Sequence, residues 1–144
     1  MNKVFLDSSV IIEFLKINGL EEAKKIMDSI YDKFLYLDVY INLIIIDETV
    51  FFYIKNKHKI SFTLKELKIY LDSFNFLVIT QEIKDNMFLL IEKYTLRPHD
   101  ALIIATCQYY EISNLISLDN DFVKVSSGEN INLIYNLEKL KHIL

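Results

Sequence analysis

Four acidic residues stand where solubility alone does not account for them: Asp7 in "KVFLDSSVIIEFLK", Glu48 in "LIIIDETVFFYI", Asp100 in "RPHDALIIATC" and Asp119 in "LISLDNDF". Asp7 and Asp119 each follow a short β-rich apolar run. If those strands are parallel, both carboxylates emerge beyond the strands' carboxyl ends, where sites form in such sheets. Glu48 and Asp100 fall inside helical patterns that otherwise read as core. Glu48 shares a face with Ile44 and Phe51 or Phe52, and Asp100 with Ile103, Ile104 and Cys107. A lone charge on a buried face is costly unless something neutralises it, and few lysines or arginines lie near these acids in sequence. Each acid has a structural reading of its own: Asp7 as a helix cap, Asp100 as a first-turn acid after Pro98, Glu48 as an exposed helix-end residue. Taken together, and without a dense His or Cys set, they match a hard, oxygen-seeking cation such as Mg2+ or Mn2+ rather than a structural zinc.

The elements that must position these acids follow from periodicity. Strands are predicted at residues 3–6, 34–40 ("FLYLDVY"), 76–80 ("FLVIT"), 114–119 ("NLISLD") and 131–135 ("INLIY"). Helices are predicted at 8–16, 20–32, 43–57, 61–74, 81–94 and 98–110, with Glu21 and Glu22 in the first turn of the second and Pro98 opening the last. Strands alternating with helices, and apolar runs suited to burial on both faces, define an α/β class with a mostly parallel sheet of about five strands.

Composition narrows the function classes. The 144 residues are 52% hydrophobic with two glycines and one proline, which fits one domain with a sizeable core and leaves little for linkers or low-complexity tails. The longest apolar stretch, 40–54, is broken by Asn42, Asp47 and Glu48 and makes a poor membrane span. The N-terminus lacks signal-peptide features, and Cys107 is the only cysteine and sits among apolar neighbours, so a cytoplasmic location and a core thiol are expected. A net charge of -4 argues against a wholly basic coat. Lys55, Lys57 and Lys59 in "KNKHK" form either a local patch for a nucleic-acid backbone or a solvated face.

In order, "VFLDSSVIIEFL", "LIIIDETVFFYI", "RPHDALIIAT" and "LISLDNDF" resemble the four acidic motifs of PIN-domain nucleases, especially the small VapC-type toxins. The resemblance spans residues 3–123 and implies one PIN-like nuclease domain over 1–144, a three-layer α/β/α arrangement. It implies that Asp7, Glu48, Asp100 and Asp119 form the acidic metal site, that Asp121 joins it or orients a water, and that Ser9 and Ser117 are hydrogen-bonding supports. Asp47 is set aside for Glu48, because adjacent helical residues point about 100° apart and cannot both face one cluster. The activity implied is Mg2+- or Mn2+-dependent endoribonuclease cleavage of single-stranded or loop RNA, with an antitoxin partner and a homodimer. A housekeeping RNA-processing nuclease and a degenerate, non-catalytic RNA-binding PIN module are the alternatives. Haloacid-dehalogenase-type phosphatases fit poorly, since Asp7 is followed by Ser8 and Ser9 rather than by a second aspartate two residues on, and phosphotransfer receivers fit poorly because they would want an acidic pair before their central aspartate.

Overall fold

The computed structural model describes residues 2–144. Five strands, β1 (Asn2–Leu6), β2 (Leu37–Asn42), β3 (Asn75–Leu77), β4 (Asn114–Ile116) and β5 (Asn132–Ile134), form one sheet in the order β3-β2-β1-β4-β5. Every pairing is parallel. Parallel neighbours need crossovers, and helices supply them: α1 (Ser8–Leu15) and α2 (Glu21–Asp32), α3 (Leu43–Lys55) and α4 (Leu64–Asp72), α5 (Gln81–Tyr94) and α6 (Pro98–Tyr109), and α7 (Val123–Gly128). A last short helix, α8 (Leu137–Lys141), follows β5. This is the α/β class with a parallel sheet flanked by helices that the periodicity predicts.

Strand β1 is central and Val4, Phe5 and Leu6 are fully buried, which is why it carries no polar alternation. The chain runs outward from β1 to β2 and β3, then returns to the other side of β1 for β4 and β5. The order therefore reverses between β1 and β4, and a crevice opens at their carboxyl ends. No described helix is long and apolar enough to cross a membrane. Gly19 has a steric reason to be glycine: a Cβ there would lie 1.7 Å from the Glu13 carbonyl oxygen.

The differences from expectation lie at element ends. Residues 34–36 form a 3-10 turn rather than strand, and among the described residues the pairing of β2 with β1 begins at Asn2↔Leu37. Strand β3 starts at Asn75 and stops at Leu77, because its partner β2 ends at Asn42 and turns into α3. Strand β4 stops at Ile116 rather than running to Asp119. The helices α7 and α8, six and five residues long, are too short for a helical period to announce them.

Candidate active site

Asp7 occupies the N-cap position of α1 with extended backbone, yet its side chain makes no cap hydrogen bond. Asn42, at the equivalent turn from β2 into α3, does cap: its Oδ1 accepts from the N–H groups of Ile44 and Ile45 at 3.0 and 3.3 Å. The Asp7 carboxylate, 4% exposed, instead accepts from Ser9 Oγ and Ser117 Oγ, each at 2.7 Å. Register explains the second donor. Leu6 pairs with Ile116, so the residue beside Asp7 at the strand end is Ser117, and the Asp7 N–H still donates to the Ile116 carbonyl at 2.9 Å. Asp119 lies two residues further on, past the strand.

Asp119 is placed by a short turn. Its carboxylate accepts from the Asp121 N–H at 2.9 Å, and its own N–H donates to Ser117 Oγ at 3.0 Å. Phe122, fully buried, pins this turn to the core; burying such a ring contributes about 1.5–3 kcal/mol. Oxygens of Asp100, Asp119 and Asp121 all lie within 4.8 Å of one another. Asp100 is 4% exposed in the first turn of α6.

Glu48 reaches the crevice from α3 and is held there by a donation from Ser8 Oγ at 2.9 Å. Asp47 is exposed, as the offset between adjacent helical residues requires. Helices α3 and α6 are tied beneath the acids: Asn42 Nδ2 donates to Thr106 Oγ1 at 3.0 Å, and that hydroxyl donates to the Leu102 carbonyl at 2.7 Å. One buried amide thus caps the Glu48 helix and fixes its neighbour, which carries Asp100.

The electrostatics bind the group together. Burial pushes the Asp7 carboxyl above the ordinary carboxylate range, the two serine bonds oppose that rise, and the Glu48 charge adds to it. Burial likewise raises Asp100, to about 6; Arg97 opposes the rise, while the charges of Asp119 and Asp7 add to it. Repulsion among carboxylates, two of them buried, is what a bound cation relieves. The all-oxygen donor set fits a hard divalent ion.

Three neighbours escape a reading from sequence that looks only for acids. Ser8 orients Glu48. His99 Nδ1 lies 3.4 Å from Glu48 Oε2. Arg97 is the basic residue that does attend the acids, in a sequence that places few lysines or arginines near them: its guanidinium approaches Asp100, Asp119 and Asp121 at 3.4, 3.6 and 3.1 Å. The signal was present in "RPHD", where Arg97 and His99 lie within three residues of Asp100. The "KNKHK" patch is divided by the fold. Lys55 lies over the Phe51 ring at 5.4 Å and lines a cavity of about 490 Å³ with Glu48 and His99, whereas Lys59 lines a separate cavity with Lys16 and His58; Lys57 is exposed on the 3-10 turn between. Cys107 is fully buried and burial pushes its thiol up, consistent with a core residue.

A parallel α/β fold with carboxylates gathered at its switch point defines a class, and this chain belongs to the PIN-domain family, whose model matches residues 4–128. It is similar to ribonuclease VapC2 of Methanocaldococcus jannaschii, 34% identical over 145 residues that cover 92% of this chain and 95% of that one. Ribonuclease VapC6 of the same organism is also 34% identical, over 153 residues covering 90% and 97% of the two chains. Among solved structures, a toxin-antitoxin complex from Klebsiella pneumoniae aligns with a TM-score of 0.66 at 24% identity, covering 85% of this chain and 92% of that one. VapBC2 from Rickettsia felis bound to a promoter DNA fragment aligns at 0.67 and 13% identity, covering 91% and 96%. At those identities the structural likeness speaks to the fold.

Proposed function

We propose that this chain is a divalent-metal-dependent endoribonuclease, acting as one PIN-like unit over residues 1–144 and as the toxin of a toxin-antitoxin pair. The observation that carries the reading is the gathering of Asp100, Asp119 and Asp121 oxygens within 4.8 Å of one another, with Asp7 near enough for its charge to act on Asp100 and Glu48 near enough to act on Asp7. The two VapC ribonuclease relatives support the choice of RNA as substrate. The toxin-antitoxin complexes among the similar solved structures support an antitoxin partner, which would cover the crevice; a homodimer in the cytoplasm completes the proposal.

Asp7, Glu48, Asp100 and Asp119, with Asp121 at the rim, would hold Mg2+ or Mn2+, and the bound ion supplies Lewis-acid activation of water and compensation of phosphate charge. The protein's own groups do the positioning. Ser9 and Ser117 fix the rotamer of Asp7, and their bonds favour its ionised form. Ser8 aims Glu48. The Asn42–Thr106 bond holds the helices of Glu48 and Asp100 in a constant relation, so the carboxylates meet substrate without rearrangement.

The test is incubation of purified protein with a mixed RNA pool in chelator, Mg2+ or Mn2+, with cut sites read by sequencing. Cleavage is expected only with the ion. Asp7→Asn, Glu48→Gln and Asp100→Asn should each slow it at least about a hundredfold, a barrier change of roughly 2.7 kcal/mol. Cleavage that survives both chelation and these substitutions rejects the reading.

A further inference from the structure

Arg97 is the only arginine in the chain; every other strong cation is lysine. It stands among the acids, with Nε 3.4 Å from Asp100 and one terminal nitrogen 3.1 Å from Asp121 and 3.6 Å from Asp119. Charge-assisted bonds of this type normally close to about 2.7–2.9 Å. One guanidinium is therefore spread over three carboxylates without seating fully on any of them. Its side chain is 70% exposed, so little packing holds it.

The backbone beneath it is fixed. Arg97 is extended, with φ -67° and ψ 150°, and precedes Pro98 at the first position of α6, which disfavours any helical alternative for it. Only the side chain is free to move. It lines two cavities that share Asp100, one of about 350 Å³ with Glu48 and His99 and one of about 370 Å³ with Asp121 and Lys124. From either, a planar fork has phosphate within its natural chemistry, which a lysine's point charge matches less well.

We propose that Arg97 is a positioning residue that exchanges carboxylates for phosphate. In the metal-free protein it neutralises Asp100, Asp119 and Asp121; when a divalent ion takes those oxygens, the displaced guanidinium is presented to the RNA phosphate beside them. This rests on the ribonuclease reading and adds to it a competition between a resident side chain and the metal.

The experiment compares wild type, Arg97→Gln and Arg97→Lys. Mn2+ binding to the RNA-free proteins is measured by calorimetry, and kcat and KM on single-stranded RNA are measured at saturating Mn2+. Arg97→Gln should bind Mn2+ about tenfold more tightly, an ordinary size for coupled sites, and yet turn over at least about tenfold more slowly. Arg97→Lys, which keeps the charge and most of the side chain, should keep Mn2+ affinity near wild type and recover only part of kcat. Opposite movement of metal affinity and turnover is what a merely structural arginine does not give. Mn2+ affinity equal to or weaker than wild type in Arg97→Gln overturns the exchange, and an unchanged kcat overturns the phosphate contact. Wild type that cuts no RNA at saturating Mn2+ instead overturns the ribonuclease reading, and the calorimetry still decides whether Arg97 competes with the ion.

Discussion

The Ser117 hydroxyl donates to the Asp7 carboxylate across 2.7 Å and in turn accepts the Asp119 N–H at 3.0 Å, so one side chain just past β4 orients the acid just past β1 and the turn that carries another. Removing that hydroxyl leaves Asp7 with the Ser9 donor alone. Ser117→Ala should weaken Mn2+ binding by about 10–100-fold, the usual cost of losing a ligand's support. Calorimetry on the purified variant checks this; wild-type affinity would mean that Ser9 suffices.

The raised Asp100 carboxyl sets a pH dependence. A group whose folded pKa lies above its unfolded value binds protons more readily when folded, so its contribution to stability is complete below the unfolded pKa, about 3.9, and is lost as pH rises through the folded value of about 6. In chelator, urea melts should show stability falling between roughly pH 4.5 and 6.5, and Asp100→Asn should flatten that slope; the raised Asp7 leaves a remainder of the same sign. Mn2+ affinity should rise over the same window, since the ion binds the ionised carboxylates. A slope of equal size in Asp100→Asn would assign it to other groups.

Asn42 joins three functions in one buried amide, capping α3, bonding Thr106 and ending β2. Asn42→Ala should destabilise by about 1–3 kcal/mol through the lost cap and the lost Asn42–Thr106 bond; the Thr106 hydroxyl keeps its donation to the Leu102 carbonyl. Activity should fall further than the folded fraction, because Glu48 and Asp100 lose their common brace. Thermal melts paired with rates at a temperature where the variant is fully folded separate the two effects.

Thr95 terminates α5 in the left-handed conformation, φ 56° and ψ 41°, a costly place for a β-branched residue. Thr95→Gly should stabilise by about 0.5–1 kcal/mol, the relieved strain exceeding the added chain entropy. Denaturant melts read it directly, and a loss of stability would reveal a contact of the Thr95 side chain that outweighs the strain.

Lys55 and Lys59 should differ in RNA binding. Lys55→Gln is expected to weaken binding of single-stranded RNA and to lower the slope of log affinity against log salt by about 0.7, the release expected for one phosphate contact, whereas Lys59→Gln leaves both unchanged. Anisotropy titrations across a salt series with a labelled oligonucleotide make the comparison. Equal effects would restore "KNKHK" as one continuous patch.

The sequence by itself determined the α/β class and singled out the acids that the proposed site uses. Apolar runs without polar alternation mark buried parallel strands, and carboxylates inside apolar helical faces stand out because burying an unpaired charge is costly wherever it occurs. Those signals are local, so they survive without coordinates. Strand ends depend on the partner: β3 stops at Leu77, where its neighbour β2 ends at Asn42 and turns into α3, and β4 stops at Ile116 while its sequence reads as strand to Asp119. The acids' environment is likewise tertiary. Ser117 reaches Asp7 across 110 residues of chain, Ser8 reaches Glu48 across 40, and Arg97 meets Asp121 across 24. Periodicity reports which face a side chain takes on its own element; which groups share a crevice is set by strand order and register, and these are fixed only when the whole sheet closes.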